Sequence, residues 1–129
     1  MGYSQGKLVS HALWVTRWLR CADAPALRTA YVEAVATHTT VQRMGFATAM
    51  MRSLATSIRD FDLGALSPAE TSLSLRLGWE FWRGPLAIRT PNALLLTPEE
   101  RVMILRLPRT PALDLDLPLS AEWREGELW

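Results

Sequence analysis

Two short stretches carry residue types and spacings that could do chemistry. Glu33 is the lone charge in Tyr31–Thr37 (YVEAVAT). A carboxylate among apolar strand residues is costly to bury unless it has a partner or a use, so Glu33 either pairs with an arginine or serves a reaction. A little further on comes Gln42-Arg43-Met44-Gly45-Phe46-Ala47, followed by a long amphipathic segment. The first turn of a helix has unpaired N–H groups and a partial positive charge, which attract a pyrophosphate. Gly45 and Ala47 are small where a backbone must approach such an anion closely, Phe46 can turn inward, and Arg43 adds a positive charge. The same loop is also ordinary geometry for entering a helix. It is neither a Walker loop nor a GxGxxG fingerprint.

The elements that must position these residues follow from periodicity. Leu8–Leu19 reads as a strand buried on both faces, preceded by a hairpin tip at Gln5-Gly6. Cys21–Ala26 is a turn, and Tyr31–Thr37 the next strand. Phe46, Met50, Leu54, Ile58 and Phe61 recur every three or four residues and predict a helix from Gly45 to Asp60. Asp62–Leu66 is a short strand. Ser67-Pro68-Ala69-Glu70 then forms a capping box opening a helix to Leu77, which Gly78 ends in the left-handed conformation. Trp79–Arg83, Val102–Leu107 and the alternating Leu113–Leu117 complete the expected strands. The order β-β-α-β-α-β-β argues for an α/β (α+β) fold, a mixed sheet with helices packed on it.

Composition bounds the function. A chain of 129 residues, about half apolar and a fifth charged, suits one soluble domain over 1–129. Its net charge of +1 hides an asymmetry: Met1–Arg59 carries seven basic and two acidic residues, Asp60–Trp129 seven basic and eleven acidic. Such a chain can hold an anion on one side and a cation on the other, or the placement is that of a solvated surface. The basic residues form no cluster, which argues against nucleic acid. The single cysteine, Cys21, excludes an intrachain disulfide and argues against a cysteine metal site. Leu8–Leu19 is too short and too polar to span a bilayer, and no secretion signal is evident, so a cytoplasmic protein is expected.

With its surroundings, Gln42–Ala47 resembles the Gln/Arg-x-x-Gly-x-Gly/Ala signature of the GNAT acetyltransferases. Further stretches look like their aminoglycoside 2′-N-acetyltransferase branch: ALRTAYVEAVA (Ala26–Ala36), LGALS (Leu63–Ser67), GWEFWRGP (Gly78–Pro85), TPEE (Thr97–Glu100) and the terminal EWREGELW (Glu122–Trp129). The resemblance implies the GNAT fold, a mostly antiparallel mixed sheet with one splayed central strand pair. It also implies acetyl-coenzyme A as cofactor, with pantetheine on Val35, Ala36 and Thr37 and pyrophosphate on Gln42, Arg43, Met44, Gly45, Phe46 and Ala47.

By the same resemblance a polycationic aminoglycoside would contact Glu33, Ala34, Ser67, Glu99, Glu100, Glu127 and the carboxylate of Trp129. Glu33 would take a proton from the acceptor ammonium, and an N–H near Val35 would stabilise the oxyanion. Each residue has a plainer reading as well. Ser67 caps a helix, Glu99 and Glu100 form a solvated turn, and Glu127 and Trp129 belong to a frayed tail.

Two departures stand out. Relatives carry a tyrosine, thought to protonate the leaving thiolate, where this chain has Ser74. The chain also begins after the family's first strand, two helices and second strand, so an open sheet edge and a homodimer or other homo-oligomer covering it are expected. Another amine acceptor, or a coenzyme-A-binding relative without activity, stays open beside the aminoglycoside reading.

Overall fold

The computed structural model describes residues 2–4, 7–37, 44–68, 72–126 and 128–129, giving backbone alone for 2–4, 7–13, 34–37, 44–47 and 72–73. In chain order the elements are β1 (Gly2–Ser4), β2 (Lys7–Cys21), β3 (Leu27–Thr37), α1 (Met44–Ser57), β4 (Leu63–Leu66), α2 (Ser72–Arg76), β5 (Glu80–Phe81), β6 (Leu86–Arg89), β7 (Leu94–Leu96), β8 (Met103–Leu105) and β9 (Leu119–Glu122). The strands form one mixed sheet ordered β5-β8-β4-β3-β2-β9-β6-β7, with β1 paired to β2. Its parallel pairs are β3 with β4 and β6 with β9.

Side-chain alternation along the central strands builds a core on each face. Tyr31, Leu63, Ala65 and Ile104 point one way and pack with Leu19, Leu115 and Trp129. Ala30, Val32, Leu66 and Met103 point the other way, onto Met51 and Leu54 of α1 and Ile58 just past its end, while Met50, expected on that stripe, is only half-buried. Phe61, expected on that stripe, is buried there too, just beyond the end of the helix.

Several expectations are corrected. β2 is not buried on both faces: Arg17 and Leu19 are buried, whereas Trp14, Val15 and Trp18 are 37, 42 and 42% exposed. None of the described β2 side chains joins the core beneath α1, and among the described residues the edge of β2 opposite β3 is paired only at its ends, by β1 and β9. Leu113–Leu117 is not a strand. Its backbone turns on itself, with Asp116 N–H donating to Asp114 Oδ1 at 3.0 Å and Leu117 N–H to the Asp114 carbonyl at 3.2 Å. Short acidic side chains that bond their own backbone compete with a strand ladder, and here they win. Only Leu115 of the three leucines is fully buried.

The strand expected over Trp79–Arg83 shrinks to Glu80–Phe81, because Trp82, Arg83 and Gly84 give their N–H groups to carbonyls of Val102 and Leu115. A Cβ on Gly84 would stand 2.1 Å from the Leu117 carbonyl oxygen, so only glycine fits this crossing. Gly78 has φ +95° and ends α2 in the left-handed conformation, as its position predicts. Residues 69–70 of the capping box and the 5–6 hairpin tip lie outside the described residues.

Candidate active site

The site begins with an irregularity in the ladder. Leu13 pairs with Ala34 and Trp14 with Val32, so Glu33 is the extra residue of a β-bulge. A bulge interrupts strand alternation and re-aims a side chain, a common device beside active sites. On the other side of β3, pairing with β4 stops at Val32↔Leu66 although β3 runs on to Thr37. Beyond Leu66 come Ser67 and Pro68, and proline has no N–H to continue a ladder. Residues 33–37 therefore have no strand partner on that side among the described residues. α1 starts at Met44 with no acidic residue in its first turn to offset its N-terminal charge.

Glu33 forms an ion pair with Arg124. The Arg124 guanidinium also lies 5.4 Å from the centre of the Tyr31 ring. Beside it is a second guanidinium, Arg17, which stacks on Tyr31 at 5.2 Å and on Trp129 at 5.8 Å. Arg17 is buried and donates to the carbonyls of Leu128 at 2.5 Å and Glu122 at 2.8 Å. Burial, and after it the like charge of Arg124, lower the Arg17 pKa from its usual value.

Tyr31 is 1% exposed, and its hydroxyl has no hydrogen-bond partner among the described residues. Burial pushes its pKa up to about 12, against the pull of Arg17 and Arg124, while the charges of Glu33 and Glu100 raise it further.

The terminal residue is no frayed end. Trp129 is 5% exposed, and its indole N–H donates to Thr97 Oγ1 at 2.9 Å. Thr97 in turn donates to the Leu86 carbonyl, tying the C-terminus to β6. Thr97 and Glu100 also border an open surface pocket of about 420 Å³, lined further by Trp82, Leu86 and Leu96. Glu99 and Glu100 are exposed in the turn after Thr97. The fold thus gathers Glu33, Glu100 and Trp129 around Tyr31 and the two arginines.

Other expected site residues fall elsewhere. Ser67 follows the last β4 residue paired to β3, one step beyond the Val32↔Leu66 pair, and is exposed. Ser74 is buried in α2, its carbonyl accepting from the N–H groups of Leu77 and Trp79, and no described contact joins it to Glu33. Gln42, Arg43 and Glu127 lie outside the described residues, and for Ala34, Val35, Ala36, Thr37, Met44, Gly45, Phe46 and Ala47 only the backbone is described. Arg17, Arg124, Tyr31 and Thr97 were not read as site residues from the sequence. Arg17 carried a signal, being a cation inside an apolar strand, as Glu33 is an anion inside one. Among the described residues no group of three or more His, Cys, Asp or Glu could hold a metal.

A strand that leaves its parallel neighbour just before a helix N-terminus is one feature shared with a known family. Residues 1–82, well over half the chain, match the acetyltransferase (GNAT) domain. The chain belongs to the GNAT family.

This GNAT chain is 37% identical over 131 residues to an aminoglycoside 2′-N-acetyltransferase of Mycolicibacterium fortuitum, an alignment covering 96% of the chain and 67% of that protein. The crystal structure of Eis1 from Mycobacterium abscessus is similar with a TM-score of 0.57 and 26% identity. That match covers 61% of this GNAT chain and 21% of Eis1. A GCN5-related N-acetyltransferase from Kribbella flavida shares the fold, with a TM-score of 0.53 at 24% identity, over 64% of the chain and 22% of that protein. The GNAT chain thus matches about a fifth of each of these two structures.

Proposed function

We propose that this GNAT protein transfers an acetyl group from acetyl-coenzyme A to an aminoglycoside amine, the 2′-amine by similarity to its relative, and so confers resistance. The observation that carries the proposal is the placement of Glu33: a carboxylate on a β-bulge at the point where β3 parts from β4. The edge of residues 33–37 that faces away from β2, without a strand partner among the described residues, and the acid-free first turn of α1 suit a pantetheine arm and a pyrophosphate. Val35, Ala36 and Thr37 would hold the arm, and Gln42 to Ala47 the phosphates. When bound, acetyl-coenzyme A supplies the acetyl group, its C–S bond exchanged for a C–N bond to the acceptor, with the thiolate leaving protonated.

Glu33 accepts the proton of the acceptor ammonium, directly or through water, leaving a nucleophilic amine. Glu99, Glu100, Glu127 and the Trp129 carboxylate draw the remaining ammonium groups, with Ala34 and Ser67 flanking. An N–H near Val35 is assigned to the developing oxyanion. Ser74, at the position where relatives carry a tyrosine, is too weak an acid for the task, so protonation of the thiolate falls to water or another group. We assign the protein to the cytoplasm; no described helix is long and apolar enough to cross a membrane. We also assign it a homo-oligomeric state that covers Trp14, Val15 and Trp18.

A second reading is favoured by one observation, the ion pair that already occupies Glu33. On that reading the protein binds coenzyme A without turnover. Calorimetry with acetyl-coenzyme A, followed by thiol release with 2′-amino and 2′-hydroxy aminoglycosides and a polyamine, separates the readings. Thiol release with the 2′-amino compounds alone supports the proposal. Release with the polyamine alone points to another acceptor, and binding without release to the inactive relative.

A further inference from the structure

Residues 122–126 and 128 belong to a strap fastened at both ends by one buried side chain, since Arg17 donates to the carbonyls of Glu122 and Leu128. Next to the first anchor, Trp123 N–H donates to the Arg89 carbonyl at 2.9 Å, and beyond the second, Trp129 is locked to Thr97. Arg124 projects from this strap onto Glu33. Arg17 shares the Tyr31 ring with Arg124, so two cations crowd one carboxylate and the like charge of Arg17 weakens the hold of Glu33 on any cation.

We propose that Arg124 is a positioning residue, a built-in competing cation that occupies the Glu33 carboxylate until the acceptor's own ammonium replaces it. The proposal rests on the aminoglycoside reading above. The exchange is cation for cation: the Arg124–Glu33 pair breaks, an ammonium–Glu33 pair forms, and the charge at the carboxylate is unchanged. An acceptor with a hydroxyl at that position gives no such exchange, so Glu33 keeps Arg124. Arg124 thereby competes with amines for the carboxylate and leaves the binding of alcohols untouched.

The test is calorimetric titration of coenzyme-A-loaded wild type, Arg124→Gln and Arg124→Lys with a 2′-amino aminoglycoside and its 2′-hydroxy counterpart. The side chains of the pair are 25 and 32% exposed, and a pair so open to water is worth a few-fold in binding. Arg124→Gln is expected to bind the 2′-amino compound about two- to fivefold more tightly than wild type. The 2′-hydroxy compound is expected to gain nothing, and Arg124→Lys, which keeps a cation, to behave as wild type. Should Arg124→Gln not fold, Arg124→Met keeps the stem over Tyr31 and carries the same expectation. Equal or weaker binding of the 2′-amino compound by the neutral variants overturns the inference and leaves the function standing. Absence of binding by every form overturns the aminoglycoside reading, and the inference with it.

Discussion

Arg17 donates a 2.5 Å hydrogen bond to the carbonyl of Leu128, 111 positions further along the chain. That contact turns the acidic, tryptophan-rich terminus from a tail into a wall of the site. The guanidinium bonds two carbonyls and stacks on two aromatic rings. Arg17→Met keeps the apolar stem and removes the charge and its hydrogen bonds. Hydrogen bonds to charged groups are each worth about 1.5–3 kcal/mol, so urea unfolding should show a loss of about 3 kcal/mol. Arg17→Lys, with one ammonium for two divergent carbonyls, should recover only part of it.

Tyr31 makes stability depend on alkaline pH. Its pKa is 10.0 in the unfolded chain and about 12 in the folded protein because of burial. Below pH 10 the phenol is protonated in both states and adds no pH dependence. Between pH 10 and 12 the unfolded state ionises first, so stability falls. The loss is about 1.4 kcal/mol by pH 11 and approaches about 3 kcal/mol above pH 12. Tyr31→Phe removes this slope. It also removes a buried hydroxyl without a partner among the described residues, so at pH 7 the variant should be as stable as wild type or slightly more so. Denaturant titrations at pH 7 and 11 check both statements.

Cys21 should be inert in the native state. Its thiol is 6% exposed, and burial raises its pKa, offset in part by its hydrogen bond to the Asp114 carbonyl. Thiolate is the reactive form. Reaction with a disulfide reagent should therefore be at least about 100-fold slower in the folded protein than in urea. Coenzyme A thiol can then be followed without background from the protein. Rapid labelling of the native chain would contradict the burial described for β2.

The elements around Glu33 were legible because each leaves a local mark. The α1 stripe, Gly78 and the lone carboxylate in YVEAVAT follow from periodicity, left-handed geometry and the cost of buried charge. The bulge that aims Glu33 was not legible, because it depends on the register between β2 and β3 rather than on either strand alone. That Glu33 pairs with an arginine was one of its two readings, but not that the arginine is Arg124, 91 residues away. The alternation in Leu113–Leu117 misled for a definite reason: Asp114 bonds local backbone and Asp116 pairs with Arg83, both from an exposed turn instead of a strand. Strands β6, β7 and β9 were missed because they are three or four residues long and gain their place from tertiary pairing.

The central claim is that Glu33 takes the acceptor proton beside a coenzyme A site it does not itself build. The most direct measurement is thiol release from acetyl-coenzyme A with a 2′-amino aminoglycoside by wild type and Glu33→Gln, with coenzyme A affinity measured on both. General-base catalysis contributes about 10²–10⁴-fold, so kcat should fall at least about 100-fold while the coenzyme A Kd stays within about twofold. Unchanged turnover in Glu33→Gln would contradict the account.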